Sequence, residues 1–171
     1  ISNYIWNFVN QIAVEVYKTH PDRLIGCCAY SQYINPPDNL DRLSPNVAVM
    51  VCKTRRNYWD REYKDKINQF LDGWRTKARQ LYIWEYYLWV GYEPILKGLP
   101  VFFPYILAQD IRSLKGSSRG EFIESGTWRP RSDDPRLLNL PGLSHLNLYL
   151  TGKLLWEAEA WAISTAARAA A

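Results

Sequence analysis

Apolar positions recur along the chain with two different periods, and their alternation predicts the fold. In residues 2–19, Ile5, Phe8, Val9, Ile12, Ala13 and Val16 return at helical spacing behind Ser2, a candidate N-cap. His20-Pro21-Asp22 ends that helix, because proline restricts the residue before it. Residues 23–30 then run apolar without alternation, the pattern of a parallel strand covered on both faces. A loop rich in Pro, Asn and Asp over 31–45 leads to a second such strand at 46–52. After the polar stretch 53–60, a helix over 61–79 carries Tyr63, Ile67, Phe70, Leu71 and Trp74 on one side. Residues 81–87, Leu-Tyr-Ile-Trp-Glu-Tyr-Tyr, read as a third strand, since β-branched and aromatic residues favour a pleated surface.

The remainder continues the alternation. Residues 91–104 form a long loop with three prolines. A helix follows at 105–115, with Ile106, Leu107, Ile111 and Leu114 inward and Gly116 at its end as a C′ residue. Residues 120–125 predict a short fourth strand, and 126–134 a polar loop. A helix at 135–140 is interrupted by Pro141-Gly142 before an amphipathic segment at 143–161. Residues 166–171 are an alanine-rich tail, either a frayed helix or side chains left unassigned.

The order α-β-β-α-β-α-β-α implies right-handed crossovers and a parallel sheet. The expected fold class is α/β, a parallel (β/α)8 TIM-barrel-like architecture of which residues 1–165 supply about the C-terminal half, four strands and four helices. An open doubly wound sheet competes, but no glycine-rich phosphate turn supports it. In a barrel the site lies on the loops after the strands' carboxyl ends. Those positions are Tyr30, Cys52 to Arg56, Glu85 to Tyr87 and Glu124 to Trp128, and two of the four end in Glu beside aromatics.

Composition narrows the chemistry. Apolar residues at 47% and charged ones at 22% place the chain among ordinary globular proteins. With 8 Trp and 12 Tyr, aromatics exceed what packing usually needs, which points either to a ligand surface or to an aromatic-rich core. A net charge of +4 is small and interspersed, so a nucleic-acid partner is not expected; Arg55-Arg56 and Arg129–Arg131 read as solvated loops. No run approaches the about 18 apolar residues of a membrane span, so no membrane insertion is expected. No signal peptide opens the chain, and Ile1 is not an initiator Met. Adjacent Cys27 and Cys28 point to opposite faces of one strand, and there is no CxxC. They and Cys52 read as core thiols; no metal and no cofactor is expected. Ser31 and Ser125 lack a nearby His-Asp partner.

An ordered set of segments carries a family resemblance. Phe8-Val9-Asn10-Gln11-Ile12-Ala13 precedes His20-Pro21-Asp22; then come Ala29-Tyr30, Asn46-Val47 leading to Cys52, Tyr82-Ile83-Trp84-Glu85-Tyr86, Gly120-Glu121-Phe122-Ile123-Glu124, and residues 149–156. Over roughly residues 3–160 these resemble the C-terminal half of the barrel of glycoside hydrolase family 163, long catalogued as a domain of unknown function. The resemblance implies a glycosidase of the endo-β-N-acetylglucosaminidase type, a glycan substrate, and a secreted, periplasmic or cell-surface location. It also implies that the rest of the barrel comes from N-terminal sequence, including an Asn-Asp motif that this chain lacks.

Glycoside hydrolysis needs a proton donor and a second group that stabilises or traps an oxocarbenium-like transition state. Glu85 and Glu124 are the catalytic candidates. Neighbouring parallel strands lie about 4.8 Å apart, close enough for two strand-end carboxylates to flank one bond. Burial against Trp84 and Tyr86 would raise the Glu85 pKa, as a general acid requires. Alternatively, Glu85 pairs with Lys53 or Arg55 on a neighbouring strand end, because an unpaired buried carboxylate is costly. Tyr30, Trp84, Tyr86 and Trp128 are the candidate sugar contacts, each also a plausible core residue. Asp110 and Glu157 read as surface or capping charges on helices, and His145 as structural. The competing function is a non-catalytic carbohydrate-binding or structural barrel.

Overall fold

A computed structural model of the chain describes residues 1–87, 102–124 and 141–157, with 141–144 as backbone alone. It is an α/β protein with a four-stranded parallel sheet and, among the described residues, four α-helices. The chain divides into two compact units, one of residues 1–85 and 116–122, the other of 86–115 and 123–171.

The first unit holds α1 (Ser2–Thr19), β1 (Ile25–Ala29), β2 (Val47–Lys53), α2 (Arg61–Lys77), β3 (Gln80–Glu85) and the start of β4 (Glu121–Ile123). Sheet order is β1-β2-β3-β4. The β2–β3 register pairs Val49 with Leu81, Val51 with Ile83 and Lys53 with Glu85. Because side chains alternate along a strand, these six share one face. On that face Val49, Val51, Leu81, Ile83, Lys53 and Glu85 are all buried. The helices α1 and α2 contact β1 and β2, and they bury Trp6, Ala13, Ile67, Leu71 and Trp74, so this is the face they cover. Trp6 and Trp74 meet edge to face at 4.5 Å. Each indole N–H donates to a carbonyl of the loop after β1, Trp6 to Tyr33 at 3.0 Å and Trp74 to Ile34 at 2.8 Å. Two buried tryptophans thereby gain hydrogen bonds along with apolar contact.

The opposite face is more open than a continuous apolar run suggests. Met50, Tyr82 and Trp84 are half-buried, Gly26 is exposed and Phe122 is 51% exposed. The expectation of strands covered on both faces holds for β2, where Ala48 and Cys52 on this face are buried too, and is corrected for β1 and β3. An apolar run records that both faces are apolar, not that both are covered.

Other expectations also shift. The buried stripe of α1 runs through Trp6 and Ala13, whereas Phe8 and Ile12 are exposed; apolar residues lie on most sides of this helix, so periodicity alone could not orient it. Ser2 is not the N-cap: Ile1 is, and the Ser2 hydroxyl donates to the Asn35 carbonyl instead. By contrast Asp60 caps α2, accepting from the Tyr63 N–H at 3.2 Å.

The second unit contains α3 (Pro104–Ser113) and α4 (Pro141–Trp156). Tyr87, Leu107, Ala108, Ile111 and Leu154 form its core, with Phe103 and Ile123 against it, and the Tyr87 and Thr151 hydroxyls are hydrogen-bonded. Gly116, after α3, has φ +79°, the left-handed conformation that a glycine accepts without strain. Pro141 and Gly142 lie within α4 as described, and proline is tolerated in a first helical turn, whose N–H groups have no intrahelical partner. The expected helix at 135–140 lies outside the described residues. Asp110 is buried rather than a surface charge, whereas Glu157 and His145 are exposed.

Candidate functional site

The carboxyl ends of β2 and β3 converge on an ionic network (Lys53, Arg55, Glu85 and Glu121) from which solvent is excluded. Lys53 and Glu85 are register partners at the last positions of their strands and point to the helix-covered side. The chain then turns through a single 3-10 turn, Arg55–Asn57. The Arg55 backbone N–H donates to Glu85 Oε1 at 3.0 Å, and its guanidinium Nη1 lies 3.3 Å from Glu85 Oε2. The same guanidinium grips Glu121 on β4 with both terminal nitrogens, Nη1 to Oε2 at 2.7 Å and Nη2 to Oε1. Lys53 Nζ is 3.9 Å from Glu85 Oε2 and donates to the Tyr58 hydroxyl at 3.0 Å. Side-chain exposure is 0% for Lys53, Arg55 and Glu85 and 2% for Glu121.

With both carboxyls ionised, two cations and two carboxylates would balance in charge. Each nevertheless gave up its hydration, and for Glu85 that cost dominates. Burial pushes its carboxyl from the ordinary 4.5 up to about 7, against the opposing pull of Arg55 and Lys53 and with a further push from Glu121. The expectation that Arg55 lies in a solvated loop is overturned. A guanidinium reaching two carboxylates on neighbouring strands is held inside by paired, charge-assisted bonds.

The network also anchors the loop that follows β2. Asn57 donates its N–H to Thr54 at 3.2 Å, Tyr58 to Arg55 at 3.1 Å and Asp60 to Asn57 at 3.0 Å. The Tyr63 hydroxyl accepts from the Thr54 N–H at 3.1 Å. Tyr58 is buried, and the next residue, Trp59, stands 64% exposed.

Of the sequence-predicted site residues, Glu85 ends β3 inside this network. Trp84, one position earlier, points to the opposite face and packs on Phe122 with centroids 4.2 Å apart. Tyr30 follows β1 and is 48% exposed. Its neighbour Ser31 has φ +49°, a conformation that non-glycine residues rarely adopt. Tyr86 and Glu124 belong to the second unit and are half-buried. Trp128 lies outside the described residues. The carboxylate that shares Arg55 with Glu85 is thus Glu121, at the start of β4, which sequence reasoning passed over. Its signal was available: Glu121 and Ile123 have the same parity, so an acid heads the side of β4 that also carries an apolar residue.

Burial raises the thiol pKa of both Cys27 and Cys28. Among the described residues no group of three or more His, Cys, Asp and Glu side chains could hold a metal ion, and no helix is long and apolar enough to cross a membrane.

Compared with known proteins, residues 1–165 match the sequence model of one family, described as a domain of unknown function, DUF4838. No curated protein and no solved structure matches the chain.

Proposed function

The chain belongs to the DUF4838 family, and we propose that it supplies the C-terminal half of a parallel (β/α)8 barrel hydrolysing glycans that contain β-linked N-acetylglucosamine. The observation that carries this reading is Glu85: an acid at the carboxyl end of a central parallel strand, its pKa raised by burial to about 7. A general acid for a glycosidic oxygen must keep its proton near the working pH. The parallel sheet and the ordered segments from Phe8 to Trp156 support the same reading, and Glu124 after β4 is the proposed second carboxylate. Tyr30, Trp84, Tyr86 and Trp128 are the proposed sugar contacts.

A specific observation favours a second reading for Glu85 itself. Its side chain is fully enclosed on the helix-covered side and held by Arg55 and Lys53. In that arrangement it orders the mouth of the sheet without touching substrate, and the chain is a carbohydrate-binding or structural barrel.

Turnover of complex N-glycans by the full-length protein separates the two. As general acid, Glu85→Gln lowers kcat by about 10²–10⁴-fold, the usual worth of a positioned proton donor, while the fold survives. Unchanged turnover removes Glu85 from the chemistry. Glu124→Gln, assayed in parallel, reports on the second carboxylate.

A further inference from the structure

We propose that Trp59 is a stacking platform for a pyranose ring, presented by the loop that the buried Arg55–Glu85–Glu121 network anchors; the inference rests on the carbohydrate reading above. Exposed aromatic side chains are not unusual in themselves: Tyr4 and Phe8 stand one turn apart on the same side of α1. Trp59 differs in how it is held. Within residues 54–60, Thr54, Arg55, Asn57, Tyr58 and Asp60 each donate a backbone N–H to a defined acceptor. Tyr58 is buried against Lys53, whose ammonium also lies 5.0 Å from its ring, and Asp60 is committed to capping α2. Of residues 54–60, Trp59 alone is exposed.

Such an arrangement lowers the ordering cost of binding. A loop already fixed by backbone bonds and a buried ion network loses little freedom when a ligand arrives. It follows the carboxyl end of β2, where parallel sheets carry their sites. Tyr30, exposed after the adjacent β1 and next to the left-handed Ser31, gives the same edge a second aromatic. Backbone strain of this kind clusters at functional positions.

The chemistry of the loop selects the ligand class. An indole face offers a broad, flat, apolar surface, and the flanking side chains Asn57 and Arg61 are hydrogen-bonding groups. A pyranose matches this with an apolar C–H face bordered by hydroxyls.

Calorimetric titration of the full-length protein with β-linked N-acetylglucosamine oligosaccharides, and with other hexopyranose oligosaccharides, tests the proposal. Hydrolysis is followed on the same samples. Trp59→Ala is expected to weaken Kd about tenfold, the fold-change that about 1.4 kcal/mol of lost contact produces. Trp59→Phe is expected to recover part of the loss. The Tm of both variants stays near that of the wild type, because so exposed a ring contributes little to the core. Trp59→Ala binding as tightly as the wild type overturns the platform, and hydrolysis by that same variant leaves the glycosidase reading standing. Binding that depends on Trp59 in a protein that hydrolyses none of the glycans upholds the platform and overturns the glycosidase. A wild type that binds no saccharide overturns both.

Discussion

Replacing Glu85 by Gln removes the charge of the buried network's central carboxylate while keeping its shape and the oxygen that accepts the Arg55 N–H. The consequence for stability has a definite sign. In the folded protein burial raises the Glu85 pKa to about 7, whereas the unfolded chain titrates near the ordinary 4.5. Between those values the native state holds a proton that the unfolded state has released. Stability therefore falls as pH rises through this window. The span from 4.5 to about 7, at about 1.4 kcal/mol per pH unit, amounts to about 3 kcal/mol. Glutamine stands in for the protonated carboxyl and has no such slope. At about pH 4.5 the wild type and Glu85→Gln should be close in stability. Toward about pH 8 the gap should open by about 3 kcal/mol in the variant's favour. Urea unfolding at a series of pH values, followed by circular dichroism, measures the gap, and groups common to both proteins cancel. A gap independent of pH refutes the reasoning. A gap that grows in the wild type's favour would show that Arg55 and Lys53 outweigh desolvation and hold the carboxyl below its ordinary value.

Two further substitutions test the packing that supports the network. Arg55→Ala leaves Glu85 and Glu121 enclosed without their shared guanidinium; it should cost about 3–5 kcal/mol in urea unfolding, the usual penalty for removing one partner of a buried pair, and a loss under about 1 kcal/mol would contradict the described enclosure. Gly73→Ala places a Cβ 2.8 Å from the Pro36 ring; a net loss of about 1 kcal/mol or more is expected despite the better helix propensity of alanine, and a gain in Tm would show that α2 and this loop are less closely packed.

Most elements were legible in the sequence because each was marked by a local signal. His20-Pro21 ends α1 at Thr19, and Asp60 starts α2 where a polar stretch meets an apolar stripe. The three longer strands, Ile25–Ala29, Val47–Lys53 and Gln80–Glu85, fall within two residues of the apolar runs that predicted them. Orientation was less legible. Periodicity draws the stripe of α1 through Phe8 and Ile12, but Trp6 is the buried anchor, because its indole N–H finds the Tyr33 carbonyl some 27 residues away. The type of Asp110 suggests a surface charge, but its place does not: it sits among Leu107, Ala108 and Ile111 on the buried side of α3.

The same limit governs the candidate site. Residue type identified Glu85 as unusual, and adjacency suggested Lys53 or Arg55 as its partners. What a linear reading could not supply was register. Lys53 and Glu85 meet because β2 and β3 pair at those positions, and Glu121 joins because Arg55 reaches across to β4. Slipping β3 by one residue would send Glu85 to the half-open face and bring Trp84 into the ion network. A buried network of this kind is weak evidence for stability, since apolar residues of similar volume often do as well. Its selectivity lies elsewhere: Val49, Val51, Leu81 and Ile83 could pair in a slipped register with little change in apolar character, whereas the observed register brings the Arg55 guanidinium to both carboxylates. The charges thus specify the alignment of three strand ends and, through the Arg55 backbone, the loop that carries Trp59. Whichever reading of Glu85 the assays favour, this alignment precedes its chemistry, because any ligand at the carboxyl edge meets groups whose positions the network has already set.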